Sequence, residues 1–384
     1  MRQTHPYECP WADAEIELFR DTVTRFLDTE MAPDDEASRK RGHVGHEIWR
    51  RAGELNLLCS DIPEEYGGAG GDFRHEAVFL EEMARRGLTG MNTGVHSIVA
   101  HYLLNHGTAE QRERYLPRMA RGELVGAIAM SEPDAGSDLQ AIRSRAVADG
   151  DHYKLSGSKT WISNGYLAGL VLVVCKTDPA AGAKGTSILI AETEGLEGYR
   201  VGRVLDKIGM KAQDTAELFF DEVELHRDQL LGSEEGQGFY QLMGDLPYER
   251  LIISVNAVGA IEGALAATLD YAKDRRAFGQ SIFEFQNSKF KLAEVATQAR
   301  VARTYLDRCI QDLLVGRLDT VGASMAKLWT TDLQNRVIDD CLQLFGGYGY
   351  TNEYMIGRMY VDARVQRIYG GTNEIMKEVI SRSL

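Results

Sequence analysis

The chain has 384 residues, 44% apolar and 26% charged, which is enough for two or three domains with a substantial core and argues against a disordered tail. A formal net charge of -14 repels polyphosphate at long range and argues against a nucleic-acid role, so an anionic ligand would need local basic groups. Cys9, Cys59, Cys175, Cys309 and Cys341 are widely spaced with no C-x-x-C pair, which predicts reduced, mostly buried thiols and neither a disulfide framework nor a zinc site.

The opening residues, Met1-Arg2-Gln3-Thr4-His5-Pro6-Tyr7-Glu8, lack the apolar run of a secretory signal. No stretch approaches the ~20 apolar residues of a membrane span, so a cytoplasmic location is expected. From Asp13 to about Arg121 the pattern is helical: Ile16, Phe19, Val23, Phe26 and Leu27 recur at the spacing of one helix face. The run Gly67-Gly68-Ala69-Gly70-Gly71 lacks the Lys-Ser/Thr ending of a phosphate loop and predicts a turn between helices.

Between about Gly126 and Leu231 the character changes to short β-rich runs such as Leu170-Val171-Leu172-Val173-Val174 and Ser187-Ile188-Leu189-Ile190. The turn Asp149-Gly150-Asp151 precedes the alternating stretch His152-Tyr153-Lys154-Leu155. A compact β-barrel or sandwich is expected, without a dinucleotide-binding glycine fingerprint. Within it, Ile128-Ala129-Met130-Ser131-Glu132-Pro133-Asp134-Ala135-Gly136-Ser137-Asp138 reads as a strand ending in a loop whose amides and hydroxyls can bind a flat heterocycle or a phosphate. In Trp161-Ile162-Ser163-Asn164-Gly165 the indole suits either an aromatic cofactor or the core.

From Gly236 onward the helical period returns, with Leu251, Val255, Val258, Ile261, Leu265 and Leu269 as one stripe. Asp245 and Pro247 mark a helix start in the segment Leu246-Pro247-Tyr248-Glu249-Arg250. The small residues Ser254, Ala257, Gly259, Ala260 and Gly263 leave room either for an extended ligand chain or for a close partner helix. Asp274-Arg275-Arg276-Ala277-Phe278-Gly279 ends that helix, and arginines there complement its dipole. The expected fold is α+β: an N-terminal helical domain (1–124), a middle β-barrel or sandwich domain (125–235) and a C-terminal domain like a four-helix bundle (236–384).

Near the C-terminus stand Gln343-Leu344-Phe345-Gly346-Gly347, Asp362-Ala363-Arg364-Val365-Gln366 and Ile368-Tyr369-Gly370-Gly371-Thr372-Asn373-Glu374-Ile375. Together with the segments above and with residues 207–218, they resemble the acyl-CoA dehydrogenases, flavoenzymes that oxidise the Cα–Cβ bond of a fatty acyl thioester. In most of that family the residue after the terminal Tyr is the catalytic Glu, but here it is Gly370. Glu249 stands where the long-chain and isovaleryl branches carry theirs, and the resemblance is closest to the long-chain branch.

The resemblance implies FAD as cofactor and Glu249 as the base that takes a Cα proton. It places Ile128, Met130, Ser131, Gly136 and Ser137 beside the isoalloxazine, with Ser137 also meeting the thioester arm, and has Trp161, Ile162 and Ser163 cover the flavin. Arg275, Phe278, Gln286, Gln343, Leu344, Phe345, Gly346 and Gly347 would reach the adenosine diphosphate half of an FAD bound by a neighbouring subunit. Thr372, Asn373 and Glu374 match further FAD positions, and Glu374 could be put forward as an alternative base. Substrate contacts fall on Ser137, Tyr240, Pro247, Tyr248, Arg250, Gly370 and Gly371, and no metal is implied.

The family also implies a homotetramer built as a dimer of dimers, and electron transfer flavoprotein as acceptor. A medium- to long-chain acyl-CoA is the expected substrate. The competing readings are an isovaleryl-like enzyme, an acyl-CoA oxidase and a non-catalytic acyl-CoA or flavin-binding homologue.

Overall fold

Helix α1 (Ala14–Phe26) starts where Asp13 accepts a hydrogen bond from the Ile16 amide at 3.0 Å, and its Ile16, Val23 and Phe26 are buried, as the spacing requires. The computed structural model describes residues 7–384, so residues 1–6, read above for a leader, lie outside it. A short π-helical turn at Leu27–Met31 leads into α2 (Ala32–Arg41), followed by α3 (His46–Glu54), α4 (Phe73–Arg85), α5 (Thr93–His106) and α6 (Ala109–Ala120). The glycine run is a turn between α3 and α4, closed by Asp72, which caps α4 through a capping box with His75.

The middle block holds β1 (Gly126–Ala129), β2 (Arg145–Asp149), β3 (His152–Ser163), β4 (Leu170–Lys176), β5 (Thr186–Glu192), β6 (Tyr199–Val204) and β7 (Thr215–His226). They form one seven-stranded sheet in the order β1-β4-β2-β3-β7-β6, with β5 added on β4. Strand β4 is buried along its whole length. Its alternate residues serve two cores: Leu170, Leu172 and Val174 join Tyr102, Leu103 and Tyr115 of the helices, while Val171, Val173 and Cys175 meet Leu155 of β3 and Leu218 of β7. The second cluster is filled by strands of the same sheet, so the sheet curls around it and no second sheet is stacked on it.

The last block opens with α7 (Gly238–Gly244) and α8 (Leu246–Asp274), passes a small hairpin of β8 (Arg276–Ala277) and β9 (Gln280–Ser281), and continues with α9 (Gln286–Leu314) and α10 (Thr320–Phe345). Helices α11 (Met355–Asp362) and α12 (Asn373–Ser381) close the chain. Helix α8 corrects one expectation: its 29 residues are long and apolar enough for a membrane span by composition alone. The reason is burial on nearly every side, since 72% of that apolar window lies inside the protein.

The small residues of α8 answer to a neighbouring helix. A Cβ at Gly259 would lie 2.9 Å from the Glu81 carbonyl oxygen and one at Gly263 only 2.2 Å from that of Arg85, both on α4. Backbone contact between α4 and α8 therefore needs glycine at both places. The five cysteines are unpaired, with four buried and Cys9 half-buried.

Candidate active site

Where the three blocks meet they enclose a cavity of ≈550 Å³. Leu80, Met83 and Ile98 of α4 and α5 line one part of it; Ile128, Met130 and residues 161–163 from the ends of β1 and β3 line another. The start of α8 and the terminal turn Tyr369-Gly370-Gly371 complete the wall. Three polar contacts lock these elements: the Gly126 amide donates to His96 Nδ1 at 3.1 Å, and Asn164 Nδ2 donates to the carbonyls of Asn92 and Gly126, each at 3.1 Å. The mouths of β1, β3 and α5 are thereby held in one frame.

Glu249 lies in the first turn of α8 and lines the cavity while remaining 8% exposed. Tyr102 of α5, fully buried, donates its hydroxyl to Glu249 Oε1 at 2.8 Å. Among the described residues Oε2 accepts no hydrogen bond, which leaves one carboxylate oxygen available to the cavity. Burial pushes the carboxyl up to about 7; the Tyr102 hydrogen bond lowers it, Asp245 raises it and Arg250 lowers it. Burial thus outweighs both the adjacent cation and the positive end of the helix. Asp245 does not cap α8 through its side chain, because its oxygens are taken by Asn105 Nδ2 at 2.7 Å and His106 Nε2 at 2.8 Å.

Opposite the apolar part of the cavity is a wall suited to a flat ring. The β3–β7 register slips between Lys159 and Ile162, and this bulge turns Trp161 into left-handed backbone (φ 63) with its indole 64% exposed. A large apolar ring held outward on strained backbone fits a role against an aromatic ligand better than core packing. Fully buried Lys159 braces the neighbouring loop: Nζ donates to the carbonyls of Met130 (3.0 Å) and Val174 (2.6 Å) and to Glu132 Oε1 (2.9 Å). Glu132 in turn accepts the amides of Arg143 and Ser144, so Gly136 and Ser137 are presented on a fixed, exposed loop. The FAD site implied above fits this wall: Ile128, Met130, Ser131, Gly136, Ser137, Trp161, Ile162 and Ser163 all line the cavity, and a Cβ on Gly136 would meet nothing within 4 Å.

The terminal turn brings two glycines to the same cavity, with φ 61 at Gly370 and 85 at Gly371. Neither amide donates a hydrogen bond to the described residues. A Cβ at Gly370 would stand 2.2 Å from Ile253 Cδ1, so Ile253 of α8 occupies the space that a side chain at 370 would take. Asn256, also on the cavity wall, accepts from Gln366 Nε2 at 2.6 Å, and Gln366 Oε1 accepts the Tyr369 hydroxyl at 2.8 Å. That relay pins the turn to α8.

Of the residues expected at the substrate, Ser137, Arg250, Gly370 and Gly371 line the cavity, whereas Tyr240, Pro247 and Tyr248 do not. Tyr240 is 55% exposed; Phe239 and Met243, on other faces of α7, take its place. Tyr248 points away from the cavity, because adjacent helix positions diverge by about 100°. Its ring lies 4.1 Å from that of His101 and its hydroxyl donates to buried Asp61 at 2.8 Å.

The positions expected at the adenosine half of FAD form a separate cluster outside the cavity lining. Arg275 lies over the Tyr348 ring, Phe278 is 96% exposed at the hairpin tip, and Gly346 and Gly347 face open space. Phe345 in this cluster stacks on Tyr271, and Asn373, expected at another part of the FAD and packed against the middle of α10, bonds Thr331, Asp332 and Lys327. Any ligand contact from them falls to their backbone. Thr372 caps α12, and Glu374 is exposed outside the cavity, which removes it as an alternative base. Tyr102, Lys159 and Asn256 went unread in the sequence because each gains its partner from a distant element.

An apolar cavity between helices and sheet, with a buried carboxylate on one wall and a projecting indole on another, has the makeup of a catalytic site for an apolar chain and a flat ring. Residues 13–123, 127–223 and 236–384 match the acyl-CoA dehydrogenase N-terminal, middle and C-terminal domains. The chain is 48% identical over 374 residues to the mitochondrial long-chain specific acyl-CoA dehydrogenase of Mus musculus, a match covering 97% of this chain and 86% of that one. It superposes on the crystal structure of acyl-CoA dehydrogenase from Geobacillus kaustophilus with a TM-score of 0.95 and 42% identity, over 98% and 99% of the two chains. Glutaryl-CoA dehydrogenase from Mycobacterium smegmatis in complex with FADH2 superposes at 0.90 with 26% identity, over 97% and 95%. The chain belongs to the acyl-CoA dehydrogenase family and is an oxidoreductase acting on CH–CH bonds.

Proposed function

We propose that this chain dehydrogenates medium- to long-chain acyl-CoA to the trans-2-enoyl-CoA, with Glu249 as the α-proton base, FAD as cofactor and electron transfer flavoprotein as acceptor. The observation that carries the reading is Glu249 itself: a buried carboxylate on the cavity wall with one oxygen engaged by Tyr102 and the other free. FAD, when bound, supplies the acceptor for the hydride that leaves Cβ.

Trp161 and the residues at the ends of β1 and β3 would hold the flat ring of FAD, and Glu249, in the lining of the same cavity, would address the acyl chain. An α-proton of a thioester is weakly acidic, so its carbonyl must be polarised as negative charge develops on the oxygen. The unbonded amides of Gly370 and Gly371 are donors available for that purpose. Leu80, Met83, Leu88, Met91, Ile98 and Ile252 give the cavity an apolar lining for an alkyl chain, and filling it expels water from around Glu249. The relative from Mus musculus, long-chain specific, supports a longer substrate.

The exposed cluster of Arg275, Phe278, Gly346 and Gly347 suits the adenosine diphosphate of an FAD held by a second copy, in a homotetramer. Anaerobic titration of the FAD-loaded protein with acyl-CoA thioesters of graded length tests the reading. Bleaching of the flavin, strongest at medium to long chains, is expected. Absence of bleaching with every thioester contradicts it, and stoichiometric peroxide in air would reassign the acceptor to oxygen.

A further inference from the structure

Lys327 of α10 does not line the cavity and is fully buried, yet it forms no ion pair among the described residues. Its ammonium donates to the Gly371 carbonyl at 2.8 Å and to Asn373 Oδ1 at 2.9 Å. A second buried cation stands close by. Arg250, 4% exposed and also without an ion pair, donates to Ser324 Oγ at 2.8 Å, one turn before Lys327, and its Nε has no partner among the described residues. Burying one unpaired cation is unfavourable, and burying two beside one turn calls for a compensating negative charge. Asp332 and Glu374 act on Lys327 and Glu249 acts on Arg250 at a distance, but none of these carboxylates forms an ion pair with either cation. The charge that would compensate is the one that develops on a thioester oxygen at the free Gly370 and Gly371 amides.

We propose that Lys327 is a positioning residue for this reaction: by gripping the Gly371 carbonyl from behind, it keeps the amides of the terminal turn aimed into the cavity, and with Arg250 it places positive potential behind them. The inference rests on the reading of Glu249 as base and extends it to the opposite end of the developing enolate. The geometry is specific, since the turn's carbonyl is held while its amides are left free. A lysine is suited to this because one ammonium can grip the carbonyl and the Asn373 side chain together.

Burial is the main influence that brings the Lys327 ammonium down to about 8, with Arg250 and Arg367 acting in the same direction and Asp332 and Glu374 against it. The clamp should therefore weaken at mildly alkaline pH, above the range in which Glu249 ionises. The rate of anaerobic flavin bleaching by saturating acyl-CoA is to be measured from pH 6 to about pH 10 in the native holoprotein and in Lys327→Met, Lys327→Arg and Glu249→Gln. Expected are a native rate that falls through the Lys327 ionisation, a Lys327→Met rate on the order of 10²-fold lower with that alkaline limb missing, and a Lys327→Arg rate near native with the limb moved upward. FAD content and acyl-CoA affinity should change much less than the rate.

Native-like bleaching and an unchanged pH profile in Lys327→Met, with Glu249→Gln inactive, would overturn the clamp and leave the base standing. Native-rate bleaching in Glu249→Gln would instead overturn the base. If Lys327→Met does not fold, a native rate flat to about pH 10, or a Lys327→Arg limb at the native position, overturns the clamp.

Discussion

Tyr102 and Glu249, 147 residues apart in sequence, meet in a buried hydrogen bond of 2.8 Å in which the tyrosine donates. A donor stabilises the carboxylate, so Tyr102 works against burial, which is the main influence pushing Glu249 up to about 7. It also engages one oxygen and so directs reaction to the other. The proposed base is thereby held by a residue from a different domain block.

Tyr102→Phe removes that donor and leaves the ring in place. A hydrogen bond to a charged group contributes about 1.5–3 kcal/mol, so the Glu249 ionisation should move up by about 1–2 pH units. The acid limb of the bleaching rate, followed by stopped flow across pH, should shift upward accordingly. A limb that stays in place would show that the hydroxyl does not tune the base.

Asp245→Asn should act in the opposite direction. Asp245 raises Glu249 through its charge, and asparagine keeps an oxygen of similar shape for Asn105. The acid limb should move down by about 0.5 unit, the size of a partly screened charge interaction. Opposite shifts in the two variants would establish that both residues act on Glu249.

Glu249→Gln should stabilise the fold at alkaline pH. The folded carboxyl lies at about 7 against an ordinary 4.5, so the folded state holds its proton more tightly than the unfolded state. Stability from this group is complete below about 4.5 and is lost as pH rises through about 7, amounting to about 3–4 kcal/mol above that range. Unfolding by urea at pH 8 should therefore need more denaturant for Glu249→Gln than for the native protein, with the gap closing at pH 5.

Trp161→Ala should separate cofactor retention from folding. The indole is 64% exposed and contributes little to the core, so thermal stability of the apoprotein should change by less than about 1 kcal/mol. FAD should be released much more readily on gel filtration, because the ring loses the apolar plane that covers it. Unchanged FAD content would contradict the assignment of this wall.

The helix–sheet–helix order was legible because α1 carries a period-3.6 stripe, α8 is a long apolar run and β3 opens with period-two alternation. Glu249 was legible through the family resemblance, whereas Asp245 and Pro247 marked only the helix start, where a glutamate is an ordinary residue. Tyr248 was misread by proximity, since its neighbour in sequence faces the cavity and it faces Asp61. Tyr102 and Lys327 carried no local sign, because each looks like an ordinary helical residue until α8 or the terminal turn is placed against it. The glycines of α8 could be read as space, but only the backbone of α4 says what fills it.

The most direct test of the account is the flavin absorbance of FAD-loaded Glu249→Gln mixed anaerobically with a medium- to long-chain acyl-CoA at pH 7.5. The thioester should bind and perturb the yellow spectrum while bleaching falls by at least about 10³-fold, because Asp138, the other carboxylate in the cavity lining, is exposed and Glu249 is the buried one. Bleaching at the native rate would contradict it.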